Sequence, residues 1–131
     1  MRGILVTIMS ALALAASAGA AQAAGDPAAG AATFKLCKVC HQVGETAKNF
    51  VGPNLNGVVG RKAGTVPGYN YSDANRNSGL IWDEATLTKY LHSPRAVVPG
   101  TKMAFPGLPK DQDVANVIAY LAQFGPDGKK P

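Results

Sequence analysis

The sequence predicts an all-α domain, three to four short helices joined by long loops. Three observations carry this. Val114, Val117, Ile118 and Leu121 repeat at the spacing of one helical face. No segment shows the alternation of apolar and polar residues that marks a strand. Glycine and proline, 15 and 9 of 131 residues, crowd the stretches 44–68 and 99–107 too densely for a long regular element.

The elements follow in chain order. Met1-Arg2 opens with positive charge, Ile4 to Ala16 is apolar, and Ala21-Gln22-Ala23 has the small-x-small form of a signal-peptidase site. Residues 1–23 are expected to be a cleaved signal peptide, leaving 24–131 as a single domain in the periplasm. The apolar run is short and alanine-rich for a membrane span, which argues against the alternative of an uncleaved anchor and against stable membrane insertion. Asp26-Pro27 then reads as an N-cap with proline at the first helical position, starting a helix that runs to about Lys38 with Gly30, Phe34 and Cys37 on one face. From His41 to Asn70 the chain reads as loop. A short helical turn is expected over 72–77, ended by Gly79, and a helix from about Asp83 carries the stripe Leu87, Tyr90, Leu91 until Pro94 bounds it. After a second loop, 95–109, the last helix has Asp111 and Asp113 in its first turn, where the helix dipole favours them, and stops at Gly125-Pro126.

Composition sets limits. A domain of about one hundred residues with few aromatic or branched side chains has difficulty building a core from protein alone. A bulky apolar group at its centre would supply the missing interior. Loss of Arg2 with the leader takes the formal charge from +5 to +4. No Lys/Arg block of the kind that marks a nucleic-acid arm is present, and no nucleic-acid role is expected.

Cys37-Lys38-Val39-Cys40-His41 is the C-x-x-C-H pattern of covalent haem attachment. Two thiols one helical turn apart can each add across a haem vinyl group, and the next residue then offers an imidazole to the iron. The rival readings fit less well. A thiol redox pair would follow a strand in a βαβ unit, a zinc site would have to recruit the distant His92, and a disulfide would leave His41 unexplained. Export agrees with haem, since c-type haem is attached outside the cytoplasm. For a sixth iron ligand, Met1 and Met9 fall in the leader, so Met103 is the sole methionine of the expected exported chain. It sits in a loop bounded by proline and glycine and belongs to no helical stripe, unlike methionine used as core filler. The alternative is His92, at the end of a helix.

With these residues in view, the chain resembles the class I c-type cytochromes, of the cytochrome c2 and mitochondrial cytochrome c type. The resemblance rests on the attachment motif, Gly52-Pro53-Asn54-Leu55, Gly60-Arg61-Lys62, Tyr69 to Asn75, Trp82, Tyr90-Leu91, Pro99 to Met103 and Tyr120-Leu121, which together span nearly all of the expected exported chain. It implies the cytochrome c fold around one covalent haem c held by Cys37 and Cys40, with His41 and Met103 as axial ligands. The carbonyl of Pro53 is then expected to orient the His41 ring. Arg61, Tyr71 and Trp82 would compensate the haem propionates. Asn75, Tyr90 and Thr101 would form a polar group on the methionine side, and Phe105 would lie at the haem edge. Gly30, Phe34, Tyr120 and Leu121 would form the crossing of the first and last helices. The chain departs from the mitochondrial form in a first helix one residue shorter and in fewer lysines. Lys35, Lys38, Lys48, Lys62, Lys102 and Lys110 remain as a positive ring near the haem edge, able to steer acidic partners over long range.

The function implied is a soluble, monomeric single-electron carrier rather than an enzyme. It would receive electrons from a donor such as a quinol–cytochrome c reductase and pass them to a terminal oxidase, reaction centre or dehydrogenase. An open-site haem enzyme or gas sensor would need a vacant sixth position, against which Met103 argues. A dedicated subunit of one redox complex would look nearly the same in sequence.

Overall fold

The computed structural model describes residues 24–131; the expected leader, 1–23, lies outside them. Helix α1 spans Pro27–Thr33, with the Asp26 side chain accepting from the Ala28 N–H at 3.0 Å and proline in the first turn. It does not continue as α-helix to Lys38. Residues Phe34–Leu36 tighten into a 3₁₀ turn, because the Cys37 N–H reaches back three residues to the Phe34 carbonyl at 2.8 Å. A further turn follows, closed by the His41 N–H on the Cys37 carbonyl at 2.9 Å.

Three further helices lie where local signals place them. Helix α2, Asp73–Arg76, is capped by Ser72 Oγ on the Asn75 N–H, and α3, Glu84–His92, by Asp83 on the Thr86 N–H at 2.8 Å. A short α4, Pro94–Val97, occupies ground expected to be loop. Pro94 ends α3, but its fixed φ also suits it to the first turn of a new helix. The last helix, α5, is Asp111–Ala122, with Val114, Val117, Ile118 and Leu121 buried as the spacing requires.

Helices α1 and α5 cross at Gly30, where a Cβ would collide with the Asn116 carbonyl, so only glycine lets the two backbones approach this closely. Phe34 and Tyr120 stack beside the crossing with ring centres 5.1 Å apart. The buried Asn116 adds a polar pin, its Oδ1 accepting from the Asp26 N–H at 2.8 Å and from Gln112 at 2.9 Å. Leu87, Leu91, Val98 and Leu108 extend the core beneath α3 and the second loop.

The first loop is better ordered by backbone pairing than its composition suggests. An antiparallel bridge joins Lys62 and Ile81, flanked by Ala63 N–H on the Leu80 carbonyl at 2.9 Å, Trp82 N–H on Arg61 at 2.9 Å and Gly60 N–H on Trp82 at 2.8 Å. This pairing sets Arg61 beside Trp82. No helix among the described residues is long and apolar enough to cross a membrane.

Candidate functional site: a covalent haem crevice

The turn that carries Cys37, Cys40 and His41 is fastened to the loop after it. The Gly52 N–H donates to the Cys40 carbonyl at 2.8 Å and the Leu55 N–H to Gln42 at 3.0 Å. His41 Nδ1 lies 2.7 Å from the Pro53 carbonyl, which can only accept, so Nδ1 carries the proton and Nε2 is left with its lone pair free. Gly52 backs the ring so closely that a Cβ there would overlap it. Burial holds the His41 imidazole below its ordinary pKa; the Pro53 bond opposes this and the Arg61 charge adds to it. A neutral imidazole is the form that binds a metal.

The two thiols do not resemble a redox pair. Burial, with the neighbouring Cys40, pushes Cys37 up to about 11. Reactive cysteine pairs are tuned the other way, toward thiolate at neutral pH.

Met103 is half-buried and packs against the core cluster that includes Trp82, Tyr90 and Leu91. The Tyr90 hydroxyl donates to Met103 Sδ at 3.3 Å and lies 3.4 Å from Thr101 Oγ1, which accepts from the Met103 N–H at 3.2 Å. Phe105 is also half-buried against the same cluster. His92, the alternative sixth ligand, is otherwise engaged. Its Nδ1 faces the Leu108 carbonyl at 2.7 Å and its Nε2 faces Asp111 at 2.9 Å, tying the end of α3 to the start of α5.

Arg61, Tyr71, Trp82 and Asn75 have polar atoms to spare. One Arg61 terminal nitrogen donates to the carbonyls of Asn54 at 3.2 Å and Asn56 at 2.9 Å, leaving the other guanidinium nitrogens without a protein acceptor among the described residues. Tyr71 is buried and its oxygen accepts from the Val66 N–H at 3.0 Å, so its own proton remains to be donated. The Trp82 ring is buried against Tyr90, 4.6 Å between centres, and its N–H has no protein acceptor among the described residues. Asn75 Oδ1 is buried with no protein partner, and a carboxamide can present either end to what it faces. Buried polar groups in native proteins are nearly always paired, so unspent groups around an apolar centre suit a large ligand bearing its own polar groups, as a haem with two propionates does. A groove of about 810 Å³ lies elsewhere, between residues 56–61 and the C-terminal residues 122–131, and meets this set only at Arg61.

Sequence reasoning missed the residues that hold these groups in place: Asn54 and Asn56 under Arg61, Val66 under Tyr71, and Asn70, whose carbonyl accepts from Lys102 Nζ at 2.6 Å. They act through backbone atoms, which leave no side-chain signature. The recurrence of asparagine at 49, 54 and 56 was the available hint; Asn49 Oδ1 accepts from the Asn54 N–H at 3.0 Å and Asn56 exchanges bonds with Gly44. The six lysines of the expected ring are all exposed. Close to Lys35, Lys38 and Lys48 in the chain, Leu36, Val39, Phe50 and Val51 are each at least 60% exposed.

A helical crossing of first and last helices and a C-x-x-C-H turn whose histidine is held by a backbone carbonyl define a c-type haem protein. Comparison with known proteins narrows the class. The family model for cytochrome c matches residues 27–125. Cytochrome c2 of Rhodomicrobium vannielii is 68% identical over 102 residues, 78% of this chain and 82% of that protein. Cytochrome c-554 of Methylosinus trichosporium is 56% identical over 126 residues, 96% of each chain. The solved structure of cytochrome cH from Methylobacterium extorquens superposes with a TM-score of 0.71 at 52% identity, covering 75% of this chain and 98% of the other. The chain belongs to the cytochrome c family and is a class I c-type cytochrome. It carries one haem c, bound covalently at Cys37 and Cys40, and it transfers electrons rather than catalysing a reaction of its own.

Proposed function

We propose that His41 and Met103 are the axial ligands of the haem iron, and that the protein is a periplasmic shuttle between a quinol–cytochrome c reductase-type donor and an acceptor such as a terminal oxidase, reaction centre or dehydrogenase. The observation that carries the ligand assignment is the commitment of both His92 nitrogens to Leu108 and Asp111, which leaves Met103 as the remaining soft donor. When bound, the haem supplies one-electron ferric/ferrous chemistry, and a thioether ligand favours the ferrous state. The chain's part is to hold that site still. Pro53 fixes the His41 ring and its tautomer; the Tyr90 hydroxyl occupies one lone pair of Met103 Sδ and leaves the other for the metal. Arg61, Tyr71 and Trp82 supply donors and charge for the propionates, Asn75 joins Tyr90 and Thr101 in the polar group on the methionine side, and Thr101 fixes the backbone of Met103. Phe105 shields the crevice on the methionine side. The domain 24–131 acts alone once residues 1–23 are removed, a reading supported by the leader's charge, apolar run and Ala21-Gln22-Ala23.

The ferric protein should show the weak far-red sulfur-to-iron band. Met103→Ala should abolish it and lower the reduction potential by about 120 mV or more, two decades of ferrous preference for a one-electron couple. His92→Ala should retain both. An unchanged spectrum in Met103→Ala would refute the assignment. The protein recovered from the periplasm should begin near Ala24.

A further inference from the structure

Burial holds the Arg61 guanidinium below its ordinary pKa, so its charge depends on fixed acceptors. One terminal nitrogen makes both of its protein hydrogen bonds, to the carbonyls of Asn54 and Asn56 at 3.2 and 2.9 Å. A backbone carbonyl can fix a charge only where its own peptide group is fixed. At Asn56 every polar group is committed. Its N–H donates to Asn54 Oδ1 at 3.2 Å, its Oδ1 accepts from the Gly44 N–H at 2.9 Å, and its Nδ2 donates to the Gly44 carbonyl at 2.9 Å. A short carboxamide suits this exchange with one backbone residue, since a carboxylate has no proton to give. Gly44 is itself anchored. It follows the attachment turn, where the Leu55 N–H bonds to the Gln42 carbonyl, and Gly128 backs it so closely that a Cβ there would overlap the Gly44 carbonyl. On the other side of Asn56, the Gly57 N–H donates to the Phe124 carbonyl at 3.0 Å. Asn56 thus joins three parts of the molecule: the turn that carries the haem, the C-terminal segment and Arg61.

We propose that Asn56 is a positioning residue for electron transfer: its side chain, anchored on Gly44, aims the Asn56 carbonyl at Arg61 and keeps that charge at a fixed distance from the haem. This rests on the reading above in which Arg61 compensates the propionates. A positive charge held near the iron favours the ferrous form, whose site carries one positive charge fewer. Tied down through one nitrogen, the guanidinium keeps its remaining nitrogens for the propionates. Released, it turns toward water, where its charge is screened. Asn56 therefore acts on the haem through Arg61, and the attachment turn, already fixed by backbone bonds, is the anchor it uses.

The test is a double-mutant cycle read on the reduction potential of the holoprotein. Arg61→Gln should lower the ferrous preference about tenfold, which is about 59 mV for a one-electron couple. Asn56→Ala should lower it about threefold, or about 28 mV, less because the Asn54 carbonyl still holds Arg61. Asn56→Ala/Arg61→Gln should match Arg61→Gln, since Asn56 then has no charge to position. Asn56→Ser, which lacks the Nδ2 donor but keeps a short polar side chain, serves the same cycle where the alanine variant yields too little holoprotein. Asn116→Ala, which loses the pin at the crossing of α1 and α5, should lower the thermal midpoint at an unchanged potential. A potential that falls equally in Asn116→Ala would make the Asn56 effect a general result of destabilisation and overturn the proposal. If Arg61→Gln lowers the potential and Asn56→Ala does not, the role of Arg61 stands and that of Asn56 is refuted. Equal losses from Asn56→Ala with and without Arg61 would show that it acts by another route, which also refutes it. An unchanged potential in Arg61→Gln would remove the reading of Arg61 itself, and the proposal with it.

Discussion

The histidine side and the methionine side of the crevice are built from different materials. Around His41 the backbone does the holding: the turn closes on Cys37, Gly52 pairs with Cys40, Leu55 with Gln42, and the His41 ring itself is bonded to a backbone carbonyl. Around Met103 the backbone does almost none. Residues 102–107 make no backbone–backbone hydrogen bond among the described residues, and the loop is held at its ends, by Thr101 on Val98 at 3.0 Å and Leu108 on Leu91 at 2.8 Å. Between those ends, side chains do the work: Tyr90 to the sulfur, Thr101 to the Met103 N–H, Lys102 to the Asn70 carbonyl. A backbone clamp resists point substitution except where bulk is forced into it. A side-chain clamp is weakened one residue at a time. The histidine side should therefore fail by steric intrusion, and the methionine side should loosen in graded steps.

The largest effect is expected on the histidine side. Gly52→Ala places a methyl group inside the contact distance of the His41 ring, so the ring or the loop has to move. Overpacking of this kind should cost about 2–3 kcal/mol, seen as a lower denaturant midpoint of the holoprotein, while the methionine band of the folded fraction persists. A fully retained midpoint would mean that the loop yields easily and is no clamp.

The same contrast explains what could be read from residues alone. The cap at Asp26, the helix starts near Ser72 and Asp83 and the face of α5 were legible because each is local, written within a few residues of the helical stripe it belongs to. The attachment turn was legible because thiol addition and imidazole ligation demand that spacing. Helix α4 was not, since Pro94 serves both to end one helix and to begin the next. The pairing of 60–63 with 80–82 was not, because a few backbone bonds impose no pattern on side chains. Asn116 looked like one more polar residue on an amphipathic helix, and only the approach of the chain at Asp26 makes it a buried pin. The exposed apolar side chains were missed for the opposite reason. Leu36, Val39, Phe50 and Val51 read as interior residues by type, and their exposure follows from how the turn is fastened.

On the methionine side the next effect is smaller. Tyr90→Phe keeps the ring against Trp82 and removes only the hydroxyl, and with it the bond to Met103 Sδ and the contact with Thr101. About 1 kcal/mol of loop stability should be lost. A donor on sulfur favours the electron-rich ferrous state, so the potential should fall, by no more than about 40 mV. A rise in potential would mean that the hydroxyl acts chiefly on Thr101.

The smallest effect is the most direct probe of the loop. Lys102 reaches from the residue beside Met103 to the Asn70 carbonyl, in a separate segment, at an exposed site where water competes for both groups. An exposed bond of this kind is worth about 0.5 kcal/mol, too little to move an unfolding midpoint clearly. It should still double or triple the fraction of time the loop stands open, since a change of that size alters a local equilibrium by a factor of roughly 2 to 3. With Met103 as the proposed axial ligand, added imidazole would bind ferric iron only when the methionine has left, so its apparent affinity would report that open fraction. Lys102→Ala should bind imidazole roughly 2- to 3-fold more tightly than wild type, and Tyr90→Phe roughly 5-fold more tightly. Gly52→Ala should change it little, because its strain lies on the other side of the haem. Equal gains in all three variants would show one cooperative unit instead of two independently held sides.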